Sequence, residues 1–358
     1  MGCSVNGRAN RPNSSTWSRG VATLRLVAVA VRWVLVTCLV GAISCGARTG
    51  LEAPVSTNGP ADAGGAEAGL TSPRVLLFGG AYSANLINPA NPPTYLGDTW
   101  TWDGRRWTQI ELVGPSPRLT NDIAAVGSHI LLFGGADSTS QPLGDTWDWD
   151  GAHWTQVSAQ GPTPPRGGAA MAALGGSVFL FGGLGPTYLG DTWKWDGATW
   201  AQLPVSGPSP RFDAVAATLG NVIVLYGGEN RDILDDTWQW DGNGWTQLQV
   251  AGPDAQLLQM GFGGMLQGCA AATRGSEVVM FCDGQTWTWD GTAWTRRADL
   301  GSYLAGTGMA SMGDDVIMFG GENGVNVVSS TWSWNGSSWT QLGTTGPSPR
   351  QVPAMATW

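Results

Sequence analysis

Few side chains in this chain are equipped for chemistry, and their spacing decides what they are for. Three acids, Glu229, Asp232 and Glu322, follow Gly-Gly pairs in segments that read as loops. Two facing carboxylates are the machinery of glycoside hydrolysis, one serving as acid and the other as nucleophile or base. The simpler account of the same residues is a solvated acidic loop. Glu229, Asp232, Asp235 and Asp236 also offer oxygens that suit calcium, though without EF-hand spacing. The only histidines, His129 and His153, fall at two turns and read as solvated turn residues rather than metal ligands. There is no Gly-x-Ser-x-Gly, no phosphate loop and no zinc-like Cys/His spacing. The sequence therefore asks for no metal and no cofactor, and no catalytic residue is assigned.

Arginine and aspartate recur together. Arg350, Arg118, Arg166 and Arg211 share repeat units with Asp98, Asp145, Asp191 and Asp236. Where Gln285 or Ser330 replaces the aspartate, the arginine is missing too. Joint loss points to structural pairs with bidentate geometry. The functional alternative is a ring of arginines facing an anionic ligand. Cys269 and Cys282 lie symmetrically about Gly275-Ser276. On a hairpin with that turn they form a non-hydrogen-bonded pair with Cα atoms about 4.5 Å apart. That is within disulfide reach, and an exported chain meets an oxidising compartment.

These residues sit in a repeat, read as an apolar run ending in Gly-Gly, a variable loop, D-T-W-x-W-D-G-x-x-W-T-Q, and G-P-S-P-R. Its central threonine recurs at Thr99, Thr146, Thr192, Thr237, Thr286 and Thr331, in steps of 47, 46, 45, 49 and 45 residues. Eighteen of the 21 tryptophans lie in these copies, three to each, so chance similarity is excluded. Each copy reads as four short strands. The second, such as Ile130-Leu131-Leu132-Phe133, is apolar throughout, as expected for a strand buried on both faces. The first is built of small residues, such as Ala169 to Ala173, which suit crowding at a central axis. Gly-X pairs such as Gly127-Ser128 join first to second strand as type II′ hairpins. Asp-Gly, or Asn335-Gly336 in the last copy, joins third to fourth. Trp100, Trp102 and Trp107 share a face whether the turn has two residues or a four-residue loop. They read as packing between neighbouring copies, or as an aromatic platform for sugars.

The predicted fold is all-β: a six-bladed propeller with four antiparallel strands per blade. The first copy begins with its second strand, and residues 351–358 match an innermost strand, so the C-terminus is expected to complete blade one and close the ring. The residues Phe78-Gly79-Gly80, Phe133-Gly134-Gly135, Phe181-Gly182-Gly183, Tyr226-Gly227-Gly228 and Phe319-Gly320-Gly321, each followed by the tryptophan motif, resemble kelch repeats. The resemblance implies a propeller that binds proteins through its loops. Galactose oxidase is a relative in that fold, but its copper needs histidines and tyrosines, and this chain has two histidines. The loops between second and third strands vary most, and variable loops on a rigid scaffold carry recognition. Candidate ligand-face residues are Tyr82, Tyr95, Tyr188, Glu229, Asp232 and Glu322, and the long first loop adds Asn85, Asn88 and Asn91.

Residues 1–44 read as a signal peptide. They hold five arginines, no acid and an apolar run from Trp33 to Ile43. Ala42-Ile43-Ser44-Cys45 resembles the lipobox of bacterial lipoproteins, which implies a lipidated Cys45; plain secretion and an uncleaved anchor are the alternatives. Gly46, rather than aspartate, after the cysteine implies the outer membrane. Residues 45–72 read as the lipidated cysteine and a flexible tether, and 73–358 as the propeller. The net charge is −9, and removal of residues 1–44 leaves 13 basic against 27 acidic residues, a surface that repels nucleic acid. The functional expectation is an envelope-anchored, non-catalytic binding or scaffold module that recognises a protein or glycan through one loop face and meets the membrane only through its lipid. The competing reading is an extracellular carbohydrate-active enzyme, glycosidase-like or oxidase-like.

Overall fold

The Gly-X pairs turn the chain back on itself within two residues. Gly127, at φ +61°, lets Val126 face His129, so strand Asp122–Val126 pairs antiparallel with strand His129–Phe133. Blade three departs from the II′ expectation, because Gly175 and Gly176 both have positive φ, the mirror-image type I′ geometry. Third and fourth strands are joined by four-residue loops, which place Trp102 opposite Trp107. The reason is the aspartate at the loop's start: Asp103 Oδ1 accepts the backbone N–H groups of Arg105 and Arg106, both at 2.9 Å. Asp150, Asp196, Asp241, Asp290 and Asn335 do the same in their copies.

The computed structural model describes residues 74–83, 93–120, 122–253, 269–343 and 345–358. They form six four-stranded antiparallel sheets and contain no helix. The innermost strands neighbour one another in cyclic order around a central axis, so the fold is a six-bladed β-propeller. Strand Ala354–Thr357, at the C-terminus, pairs with Val75–Phe78 and supplies the innermost strand of blade one, as the sequence implied. Trp358 caps the closure, exchanging backbone hydrogen bonds with Arg74 and meeting Trp149 of blade two edge-on.

Each second strand is buried on both sides because each side faces a different neighbour. Val75 and Leu77 pack with Ile317 and Phe319 of blade six, whereas Leu76 and Phe78 pack with Ile130 and Leu132 of blade two. Period-two alternation therefore divides one apolar run between two interfaces. The tryptophans join these interfaces: Trp102 and Trp107 lie 5.3 Å apart, and Trp107 meets Phe319 of blade six edge-on.

Candidate functional site

The loop end of the propeller is built on the arginines. Arg118 lies in the linker between blades one and two, four residues ahead of strand Asp122–Val126. Its backbone is held by blade one, through Gly80 N–H to its carbonyl at 3.0 Å and its own N–H to Leu96 O at 3.1 Å. Its guanidinium belongs to blade two, where it meets Asp145 Oδ1 and Oδ2 at 2.7 and 2.9 Å and Gly134 O at 3.0 Å. Arg166–Asp191, Arg211–Asp236 and Arg350–Asp98 repeat the arrangement, so each arginine staples two blades. The four arginines are fully buried, and Arg118, Arg211 and Arg350 each use all their N–H groups. That geometry leaves nothing to face an anionic ligand. The Gly-Gly pair makes it possible: a Cβ on Gly134, at φ +64°, would come within 2.4 Å of the Arg166 carbonyl oxygen.

Each paired aspartate also accepts an indole N–H, as Asp98 does from Trp100 at 2.7 Å. Burial works to raise these aspartates' pKa values, but the arginine's hydrogen bonds and charge, with the indole, outweigh it and hold all four below the usual carboxylate value.

Above these staples, the residue after each Gly-Gly pair is bridged on both sides. Leu184 pairs with Gly167 of the incoming linker and Tyr188 of the returning loop; Glu229 pairs likewise with Phe212 and Ile233, and Glu322 with Ala305 and Val327. In blade one, Ala81–Tyr82 pairs with Thr94–Tyr95. The loops and linkers thus share one face, and the candidate residues stand on a braced backbone. Tyr188 stacks on Phe212 with ring centroids 5.8 Å apart, and burial, with the charge of Glu229, raises its pKa. Burial likewise raises the pKa of Tyr95, although a hydrogen bond from blade two's Ser140 opposes it. Asp232 is exposed at its loop tip.

The decisive likeness matches this architecture. Residues 55–257, more than half of the chain, match the family described as the KLHDC2/KLHL20/DRC7 Kelch-repeats domain. The chain belongs to the kelch-repeat family. Kelch domains as a class mediate protein binding. No curated protein matches the sequence.

The kelch scaffold separates the carboxylates named from the sequence. Glu229 and Glu322 occupy equivalent places in blades four and six, each beside its own aspartate and tyrosine. Burial and the charge of Glu229 push Asp213 up to about 7, and burial and the charge of Glu322 push Asp283 up to about 6. The acidic run of blade four is divided, because Asp236 is taken by Arg211. Among the described residues, no group of three or more His, Cys, Asp or Glu side chains is placed to hold a metal ion. His129 Nδ1 lies 2.8 Å from Asp148 Oδ2, at the opposite end of the blade. Cys269 and Cys282 form a disulfide with Cα atoms 4.3 Å apart. The loop residues Asn85, Asn88 and Asn91, together with Cys45, the leader and the tether, lie outside the described residues.

Three features were not read from the sequence. The fourth-strand tryptophan of every blade donates its indole N–H to the recurring threonine of the preceding blade, as Trp154 does to Thr99 at 3.0 Å. Around the axis, Thr218, Thr273, Ser311 and Thr357 each donate a hydroxyl to a backbone carbonyl of the preceding blade. The third is a pocket at blade six.

Proposed function

We propose that this kelch protein is an exported, non-catalytic binding module, tethered to the outer membrane by a lipid on Cys45, that engages a protein or glycan of the envelope through its loop face. The observation that carries the reading is the contrast between the two ends of the blades. The loop end differs from copy to copy in sequence and length, yet backbone bridges brace it. The opposite end repeats one Asp-Gly or Asn-Gly turn six times. A surface that varies on a rigid base is suited to recognition, and one that merely repeats serves the fold. Tyr82, Tyr95 and Tyr188 supply large, amphipathic contact area there, with Glu229, Asp232 and Glu322 as the acidic component. The acidic balance beyond residue 44 disfavours nucleic acid as the partner.

The test is site-specific photo-crosslinking in intact cells, with the probe placed at Tyr95 or Tyr188 and, as controls, at Ser128 or Ser276 on the opposite end. Adducts from the loop face alone are expected. Adducts from the control positions alone, or equally from both, overturn the assignment of the face. The anchor is tested separately. Cys45→Ala should move the protein out of the membrane fraction and abolish incorporation of labelled palmitate; retention of the label overturns the lipid.

A further inference from the structure

The turn joining the third and fourth strands of blade six departs from its five counterparts in two ways at once. It begins with Asn335, where the others begin with Asp103, Asp150, Asp196, Asp241 or Asp290. It is also the one that meets a charge. A Cβ on the turn glycine would lie nearest Met312 in blade one, Trp358 in blade two, Leu174 in blade four and Leu219 in blade five, and would touch nothing in blade three. On Gly336 it would lie 2.6 Å from Cζ and Nη1 of Arg274, so only glycine fits there. Arg274 ends the innermost strand of blade five. Its Nη2 donates to the backbone carbonyl of Asn335 at 2.7 Å, while Nη1 meets Glu277 at 3.4 Å.

An Asn-Gly pair can react with itself. Water takes the proton of the glycine N–H, and the nitrogen bonds to the asparagine Cγ. The electron pair of the Cγ carbonyl moves onto Oδ1 and, on its return, expels Nδ2 as ammonia with a proton from water. The product is a five-membered cyclic imide, which water opens to aspartate or isoaspartate. Three features of this turn favour the reaction. Oδ1, where charge develops, accepts from Ser337 N–H at 2.9 Å, Ser337 Oγ at 2.8 Å and Ser338 N–H at 3.0 Å, and such donors stabilise an oxyanion. The Arg274 guanidinium, bonded to the carbonyl of the same peptide, eases loss of the Gly336 proton. The Gly336 N–H donates to nothing among the described residues, so no hydrogen bond has to break first. Asn335 is exposed, and water reaches it.

We propose that Asn335 is a self-modifying site, which closes on Gly336 and opens to aspartate or isoaspartate without an enzyme. The new carboxylate arises beside Arg274 of the neighbouring blade. Blades five and six lack an arginine staple, because Leu304 and Ser330 stand in the places of its arginine and aspartate. The reaction thus gives their junction an ion pair of its own, at the end opposite the loop face and independent of what that face binds.

The test is peptide mapping by mass spectrometry of the full-length protein during incubation in mildly alkaline buffer, scoring exchange of amide for acid and the isoaspartate linkage. Asn323-Gly324 is the internal control. Asn323 Oδ1 also accepts two backbone N–H groups, from Val325 and Asn326, but no guanidinium bonds to its carbonyl. Asn335 is expected to convert at least roughly tenfold faster than Asn323, and faster in the folded protein than in urea. Arg274→Met and Ser337→Ala should each slow conversion several-fold to roughly tenfold. Should Arg274→Met disturb blade five, Ser337→Ala and the comparison with Asn323 still decide. An Asn335 that stays intact, converts no faster than Asn323 or converts faster once unfolded overturns the proposal.

Discussion

Trp107 of blade one donates its indole N–H to the hydroxyl of Thr331 in blade six at 3.0 Å, across the seam where the ring closes. The two residues are 224 positions apart, while the five equivalent latches span 53 to 57. Thr331 is fully enclosed, so removal of its hydroxyl strands a buried N–H. Thr331→Val should therefore destabilise the protein by about 1–3 kcal/mol, read as a lower denaturant midpoint at unchanged slope. Adding Trp107→Phe removes the stranded donor and should cost little more than the single change. A Thr331→Val midpoint equal to wild type would show that the latch contributes nothing.

The arginine staples give a second expectation. Arg166 is fully buried and its partner Asp191 partly so, and the pair bridges blades two and three. Breaking such a pair from one side leaves an uncompensated charge and costs about 3–5 kcal/mol. Arg166→Met and Asp191→Asn should each destabilise strongly, and the double variant should be far less damaged than the sum of the two. Lysine should not rescue position 166, because it lacks the planar fork that meets both carboxylate oxygens. Strict additivity in the double-mutant cycle would remove the pair as a unit of stability.

The pH dependence has two opposing arms. Asp213 and Asp283 have folded pKa values raised to about 7 and about 6, by burial and by the charges of Glu229 and Glu322. Their contribution is complete below the unfolded value of about 4 and lost as pH rises through about 6 to 7. The four stapled aspartates, with lowered values, contribute above about 4 and lose that contribution as pH falls below it. The melting temperature should peak near pH 5 and decline toward pH 8. Asp213→Asn should flatten the alkaline arm. A melting temperature that rises from pH 5 to 8 would contradict the assignment.

How much of this was legible follows from where each partner lies. The two-sided burial of Leu76 and Leu77, the turn at Gly127 and the return of Ala354–Thr357 to blade one were readable, because apolar runs, glycine pairs and a missing strand all leave marks within one repeat. The Arg–Asp pairing was readable because both members vanish together at Gln285 and Ser330. That each arginine's backbone belongs to the preceding blade left no mark, since carbonyls and N–H groups carry no residue type. Thr99 looks like an ordinary strand residue, and only its neighbour in the ring makes it an acceptor. The sequence also left two registers open for Trp107, until the side chain of Asp103 selected the longer loop. At blade six, Ser330 announced the loss of a pair but not the open space left behind. Blade five lost the same aspartate and met the loss differently.

That difference yields the last expectation. Cys282 stands where other blades have the first glycine of the pair, and Gln285 stands where blades one to four have the aspartate. The Cys269–Cys282 disulfide ties the entry of the innermost strand to the end of the second, whereas the arginines of other blades reach from the linker to the aspartate ahead of the third strand. It therefore locks two strands of a single blade together, whereas each arginine staple joins two blades. Closing a loop of this sequence separation, 13 residues, contributes about 3 kcal/mol through the unfolded state. The Cys269→Ala, Cys282→Ala protein should lose about that much stability and become indifferent to reductant, whereas the parent should fall to a similar level once reduced. If the parent's unfolding midpoint is the same with and without reductant while thiol titration shows both cysteines freed, the bridge does not support the blade. Full reduction without loss of the other five blades' cooperativity would in turn place its effect within blade five alone.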